Sequence, residues 1–205
     1  MYKKTSKTEL KDIKNVLQML ADIKKKYGIK GQQAVRFLKD SLVAESLGGG
    51  IKMNTSFHGW DGQFKNGTYF ENKNVSADAK SPISFSLKFQ DTSIDKLIEL
   101  RDTGVICTTS FFDEGMAYPG FIMVGNTKNV GNFLDDSYNP ETRKSCQVSL
   151  TRCINNGFKL VTGEYTKKQV IDIISAKFPR LGKSLTVNDI YTKSELPALV
   201  ASMME

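Results

Sequence analysis

Gly59-Trp60-Asp61-Gly62-Gln63-Phe64-Lys65-Asn66-Gly67-Thr68-Tyr69-Phe70-Glu71-Asn72-Lys73 reads as two β-type runs joined by a tight turn at Asn66-Gly67. Glycine takes the positive φ that short hairpin loops require, so Asn-Gly between such runs signals a hairpin. Loop length then sets which residues meet. A three-residue loop, a type I turn at Lys65-Asn66 followed by Gly67 in a left-handed bulge, sets Phe64 against Thr68 and Asp61 against Glu71. A two-residue loop instead pairs Asp61 with Asn72 and sends the two acids to opposite faces, unless twist or a bulge restores the geometry. Alternate residues of a strand share a face, so Tyr69, Glu71 and Lys73 lie together, and the first register gathers Asp61, Glu71 and Lys73 into one cluster.

Two carboxylates a few ångströms apart repel each other, whereas a magnesium ion turns that repulsion into coordination by hard oxygen ligands. Lys73 beside them can hold an attacking water or a phosphate oxygen and offset charge that develops as a phosphodiester breaks. The Glu-x-Lys triplet alone is common. Inside a hairpin, with an aspartate ten residues upstream and a glycine-terminated helix carrying Glu45 before it, the triplet points to phosphate-ester hydrolysis.

Outward from the hairpin, residues 8–27 place Leu10, Ile13, Val16, Leu17, Leu20, Ile23 and Tyr27 at helical spacing, with Gly28 as the stop. A second helix is expected over 32–47, burying Val35, Leu38, Leu42 and Val43 and ending at Gly48-Gly49-Gly50. Strands follow at 57–64, 68–75, 84–89, 105–112 and 121–124, with a short helix at 94–101 capped by Asp91 or Thr92. The polar stretch 132–144 reads as a loop; 166–178 reads as a helix with Val170, Ile171, Ile174 and Phe178 inward, and 195–204 as a further helix. The order is that of one α/β domain over 1–205, a central mixed sheet flanked by helices. Its parts are N-terminal helices (8–48), the hairpin and sheet (57–125) and an α-rich C-terminal part (145–205).

Composition narrows the chemistry. The chain has 29 Lys plus Arg against 22 Asp plus Glu, a net charge of +7 that attracts polyanions such as nucleic acid. Cys107, Cys146 and Cys153 form no CxxC pair and His58 is the single histidine, so zinc lacks its usual ligands, and a Ser-His-Asp site has no base other than His58. We place His58 outside the site. A charged N-terminus without a signal-like apolar run, and no run near the roughly 18 apolar residues of a membrane span, lead us to expect a soluble, cytoplasmic protein with no membrane partner.

Asp61 with Glu71-Asn72-Lys73, preceded by Glu45-Ser46-Leu47-Gly48, resembles the PD-(D/E)XK nuclease motif, most closely as type II restriction endonucleases carry it. The resemblance covers about residues 35–90; Trp60 stands where the motif has proline. It implies a restriction-endonuclease-like core, Asp61 and Glu71 as magnesium ligands, Lys73 orienting or activating the water, and Glu45 supporting the metal shell from its helix.

Double-stranded DNA is then the expected partner, and cutting both strands of a palindrome implies a homodimer. Lys65, Lys80 and Lys88 are candidate phosphate contacts, as is the group Lys159, Lys167, Lys168, Arg180 and Lys183. Loops at 109–118 and 126–144 could carry residues that read bases. Three readings remain open: a site-specific restriction endonuclease, another nuclease of the same chemistry (repair, homing or virus-encoded), and a catalytically silent DNA-binding module.

Overall fold

The hairpin takes the three-residue form. Phe64 N donates to Thr68 O (2.8 Å), Gly67 N donates to Phe64 O (3.0 Å), and Gly67 sits at φ 92°. β1 (Lys52–Met53), β2 (Gly62–Gln63) and β3 (Tyr69–Ser76) are antiparallel neighbours, with Gly62 opposite Phe70 and Gln63 opposite Tyr69. Gly62 has no room for a side chain, since a Cβ there would lie 2.7 Å from Ile51 Cγ2. The ladder between β2 and β3 stops at this point, and β3 continues alone on that side.

In this computed structural model the described residues are 7–28, 34–48, 50–55, 59–77, 81–90, 93–113, 116–130 and 145–205. His58, Lys80, Asp91, Thr92 and the stretch 132–144 lie outside them. The fold is α/β, a mixed seven-stranded sheet with helices around it, consistent with a restriction-endonuclease-like core. β3 pairs in parallel with β5 (Val105–Phe112), which is followed across the sheet by β6 (Phe121–Asn126), β8 (Lys159–Thr162) and β9 (Ile190–Tyr191). β4 (Ser86–Gln90) and β7 (Ser145–Ser149) form a separate antiparallel ribbon.

β5 is buried along its whole length because both faces of the sheet are covered. On one face, Phe70, Ile106, Ile122 and Val124 pack against Val43 and Ala44 of α2 (Ala34–Ser46), against Leu47 just after it, and against Leu196 and Val200 of α7 (Leu196–Met203). On the other, Val105, Cys107, Phe111 and Phe121 pack with Leu87 and Phe89 of the ribbon and with Val170 and Ile174 of α5 (Lys167–Lys177). α3 (Ile94–Ile98), continued by a wider turn over Glu99–Thr103, flanks the ribbon side, and α4 (Leu150–Asn155) and α6 (Pro179–Ser184) complete the C-terminal part. That part also supplies β7, β8 and β9, strands the sequence pattern did not separate from its helices. All three cysteines are buried. Among the described residues no helix is long and apolar enough to cross a membrane.

Several local expectations are corrected. α1 (Lys7–Tyr27) forms, yet Val16 and Leu17 on its apolar stripe are 55% and 60% exposed. Its neighbour is α2, where the Tyr27 and Phe37 rings lie 5.8 Å apart, and one helix cannot cover a stripe that wide. In α2, Val43 is buried as expected, but Val35 and Leu42 are exposed, while Ala44 and, just past the helix end, Leu47 are buried, so the buried face is shifted from the expected one. The cap of α3 is Ser93, whose hydroxyl accepts from Lys96 N (3.1 Å), in place of Asp91 or Thr92. Thr109 and Ser110 are not loop residues able to read bases; they are buried in β5.

Candidate active site

Because β2 ends at Gly62, the chain turns away just where Asp61 meets Glu71, and the two acids meet at the bared edge of β3. Asp61 N donates to Glu71 Oε2 (3.3 Å), and Asn72 N donates to Asp61 Oδ2 (2.8 Å). Lys73 Nζ pairs with Glu71 Oε1 from the same face of the strand. The opposite face points Asn72 and Asn74 at α2, where Asp40 Oδ1 accepts from both side-chain amides (2.7 and 2.9 Å). Arg36, one turn before Asp40, reaches Asp61 Oδ1 at 3.0 Å and Asp40 Oδ2 at 3.4 Å. Asp61 thus joins two clusters on the two faces of β3.

Asn72, the residue between Glu71 and Lys73, anchors this arrangement. It is fully buried; its amide nitrogen donates to Asp40 and to Asn74, and its carbonyl accepts from the Thr108 and Ser110 hydroxyls of β5, both at 2.7 Å. Removing the amide leaves two buried hydroxyls and a buried carboxylate short of partners. Asn72→Ala is therefore expected to lower unfolding free energy by about 3 kcal/mol, read as a drop in the urea midpoint with little change in slope.

Burial raises the Asp61 carboxyl to about 7; the nearby Glu71 and Asp40 charges add to the rise, and the Asn72 N–H and Arg36 partly offset it. Burial also raises Asp40, moderated by the amides of Asn72 and Asn74. An Asp61 pKa raised from 3.8 means that the folded chain holds this proton more tightly than the unfolded chain does. The resulting stability is fully present below about pH 4 and is lost as pH rises through about 7. Asp61→Asn, which cannot ionise, is expected to gain stability relative to wild type across that window in metal-free buffer. Denaturant unfolding at a series of pH values checks it, and a constant difference between the two proteins is the contrary result.

Glu71 and Lys73 open onto a cavity of about 1120 Å³. Arg36 and Lys39 of α2 form one wall; Lys88 and Gln147 of the ribbon and Lys96 of α3 form the other. On that second wall Trp60 Nε1 donates to Glu99 Oε2 (2.8 Å), and Lys96 Nζ lies 4.6 Å from the Trp60 ring centre.

The structure brings Asp61, Glu71 and Lys73 together and sets Lys88, exposed, on the cavity wall. It does not bring Glu45 to them: Glu45 is exposed at the end of α2 and does not line the cavity, and the acid that α2 supplies is Asp40, 3% exposed. Lys65 is exposed at the hairpin tip, also away from the lining. Arg36, Asp40 and the pair Trp60–Glu99 escaped the sequence reading. Asp40 did carry a signal, because it shares a helical stripe with Val43, Ala44 and Leu47 at spacings of three, four and seven.

Among the described residues no group of three or more His, Cys, Asp or Glu side chains forms a metal cage. Magnesium does not need one: it binds through one or two carboxylates and completes its shell with waters and substrate phosphates. Two adjacent carboxylates, one of them with its proton affinity raised by burial and by like charge, fit that demand. No protein-family model matches the chain, and no curated protein matches it.

Proposed function

We propose that this chain is a magnesium-dependent endonuclease of the PD-(D/E)XK type that hydrolyses phosphodiester bonds of double-stranded DNA at specific sites. The observation that carries the reading is the hairpin register, which sets Asp61 beside Glu71 with Lys73 on the Glu71 face at a cavity edge. Asp61 and Glu71 would hold the ion, which supplies an activated water and offsets charge on the phosphate. Lys73 Nζ, now on Glu71, is within reach of a water or phosphate oxygen brought to the same carboxylate. Arg36 and Lys88, which both line the cavity, would contact the flanking phosphates of a bound strand. Asp40 holds Asn72, Asn74 and Arg36, and so keeps Asp61 in place from behind.

Cutting both strands at a palindrome takes two such sites, hence a homodimer. Val16 and Leu17, exposed apolar residues of α1, are candidates for such a contact. The test is purified protein with mixed-sequence plasmid and magnesium. Discrete fragments, absent with a chelator, are expected. A smear means a nuclease without site preference, and intact plasmid means that the chain is not a nuclease.

A further inference from the structure

The ribbon of β4 and β7 has two unlike faces. Leu87, Phe89, Cys146 and Val148 turn into the core, whereas Ser86, Lys88, Gln90, Ser145, Gln147 and Ser149 alternate onto the opposite, outward face, where Ser86 is itself buried. The outward set has one charge and otherwise only hydroxyls and amides. Register places Lys88 opposite Gln147 and Gln90 opposite Ser145, and Gln147 Nε2 donates to Ser86 Oγ at 2.7 Å across the ribbon. Ser86, Lys88, Gln90 and Gln147 line the same cavity as Glu71 and Lys73.

Resting on the nuclease reading above, we infer that the outward face of this ribbon is the surface that reads base edges in the major groove of the duplex. Three features of the ribbon agree with this role. The major groove of DNA admits a two-stranded ribbon, and glutamine and lysine are side chains that pair with adenine and guanine edges there. Outward residues of one strand are about 7 Å apart, so Ser86 to Gln90 spans about 14 Å, about four base-pair steps. Amides and hydroxyls contribute little to long-range attraction for phosphate, which the lysines and Arg36 supply; what they add is discrimination. The ribbon's core face is packed against the sheet that carries Glu71, so reading and cutting share one rigid frame.

The test selects duplexes with a randomised central segment, bound in calcium to hold DNA without cutting and then sequenced, for wild type, Gln90→Ala and Gln147→Ala. Gln90 is exposed, so its removal leaves the core intact. Wild type is expected to enrich a short motif. Each variant is expected to lose preference at one or two positions by on the order of tenfold to a hundredfold, while affinity for random duplex changes less than about twofold. The inference is overturned, and the nuclease reading kept, if the variants enrich the wild-type motif unchanged or if wild type cuts with magnesium but enriches no motif. Wild type that neither binds nor cuts duplex overturns both.

Discussion

Asp61→Ala and Glu71→Ala are each expected to lose the proposed magnesium-dependent cleavage by on the order of 10³-fold or more while the protein stays folded and keeps its affinity for DNA. Each removes one of two carboxylates that the hairpin register puts side by side, and the remaining one would hold the ion more weakly and without fixing its position between them. Folding survives at neutral and higher pH because an ionised Asp61 is itself costly there, its carboxyl having been raised to about 7 by burial and its acidic neighbours. DNA affinity is expected to survive because phosphate contacts would dominate it and would come from the other cations that line the cavity. Cleavage rate, circular dichroism and affinity at fixed salt check the three parts. Cleavage near the wild-type rate by either variant contradicts the assignment.

Lys73→Ala is expected to lower the cleavage rate by about 10²- to 10³-fold with affinity changed less than a few-fold. Lys73 pairs with Glu71 on the cavity face of β3, where, on the proposed reading, its charge would meet the transition state and not the flanking phosphates. A lysine that merely paired with Glu71 on a partly exposed strand would contribute little to stability and nothing to rate. The two measurements, made at one ionic strength, separate these roles. Unchanged cleavage, or a loss fully explained by weaker binding, contradicts the catalytic one.

The hairpin was legible because its determinants are local: Gly67 requires the positive φ, and period-two alternation assigns faces once the loop length is chosen. Loop length itself was open on sequence alone, since either register satisfies Asn66-Gly67; β1, which pairs with β2 on its far side, was announced by no local pattern. Helical periodicity likewise located α1 and α2 without saying what would cover them. A charged residue reads as surface, so Asp40 went unnoticed on the buried stripe, and Glu45 took its place. Five residues apart in a helix is about 140° of rotation, enough to put Glu45 on the other side. The ribbon was only half visible, because β4 and β7 are short and pair across a long stretch of chain, and a five-residue alternation such as Ser145–Ser149 carries no signal of its partner.

The central claim, that Asp61 and Glu71 jointly hold one catalytic divalent ion, is tested most directly by anomalous diffraction from crystals grown with manganese, which takes magnesium-type oxygen sites. The account predicts one peak between the two side chains, about 2.1 Å from an oxygen of each, and its loss in crystals of Glu71→Ala. No peak there at saturating manganese, or a peak held by other residues, contradicts it.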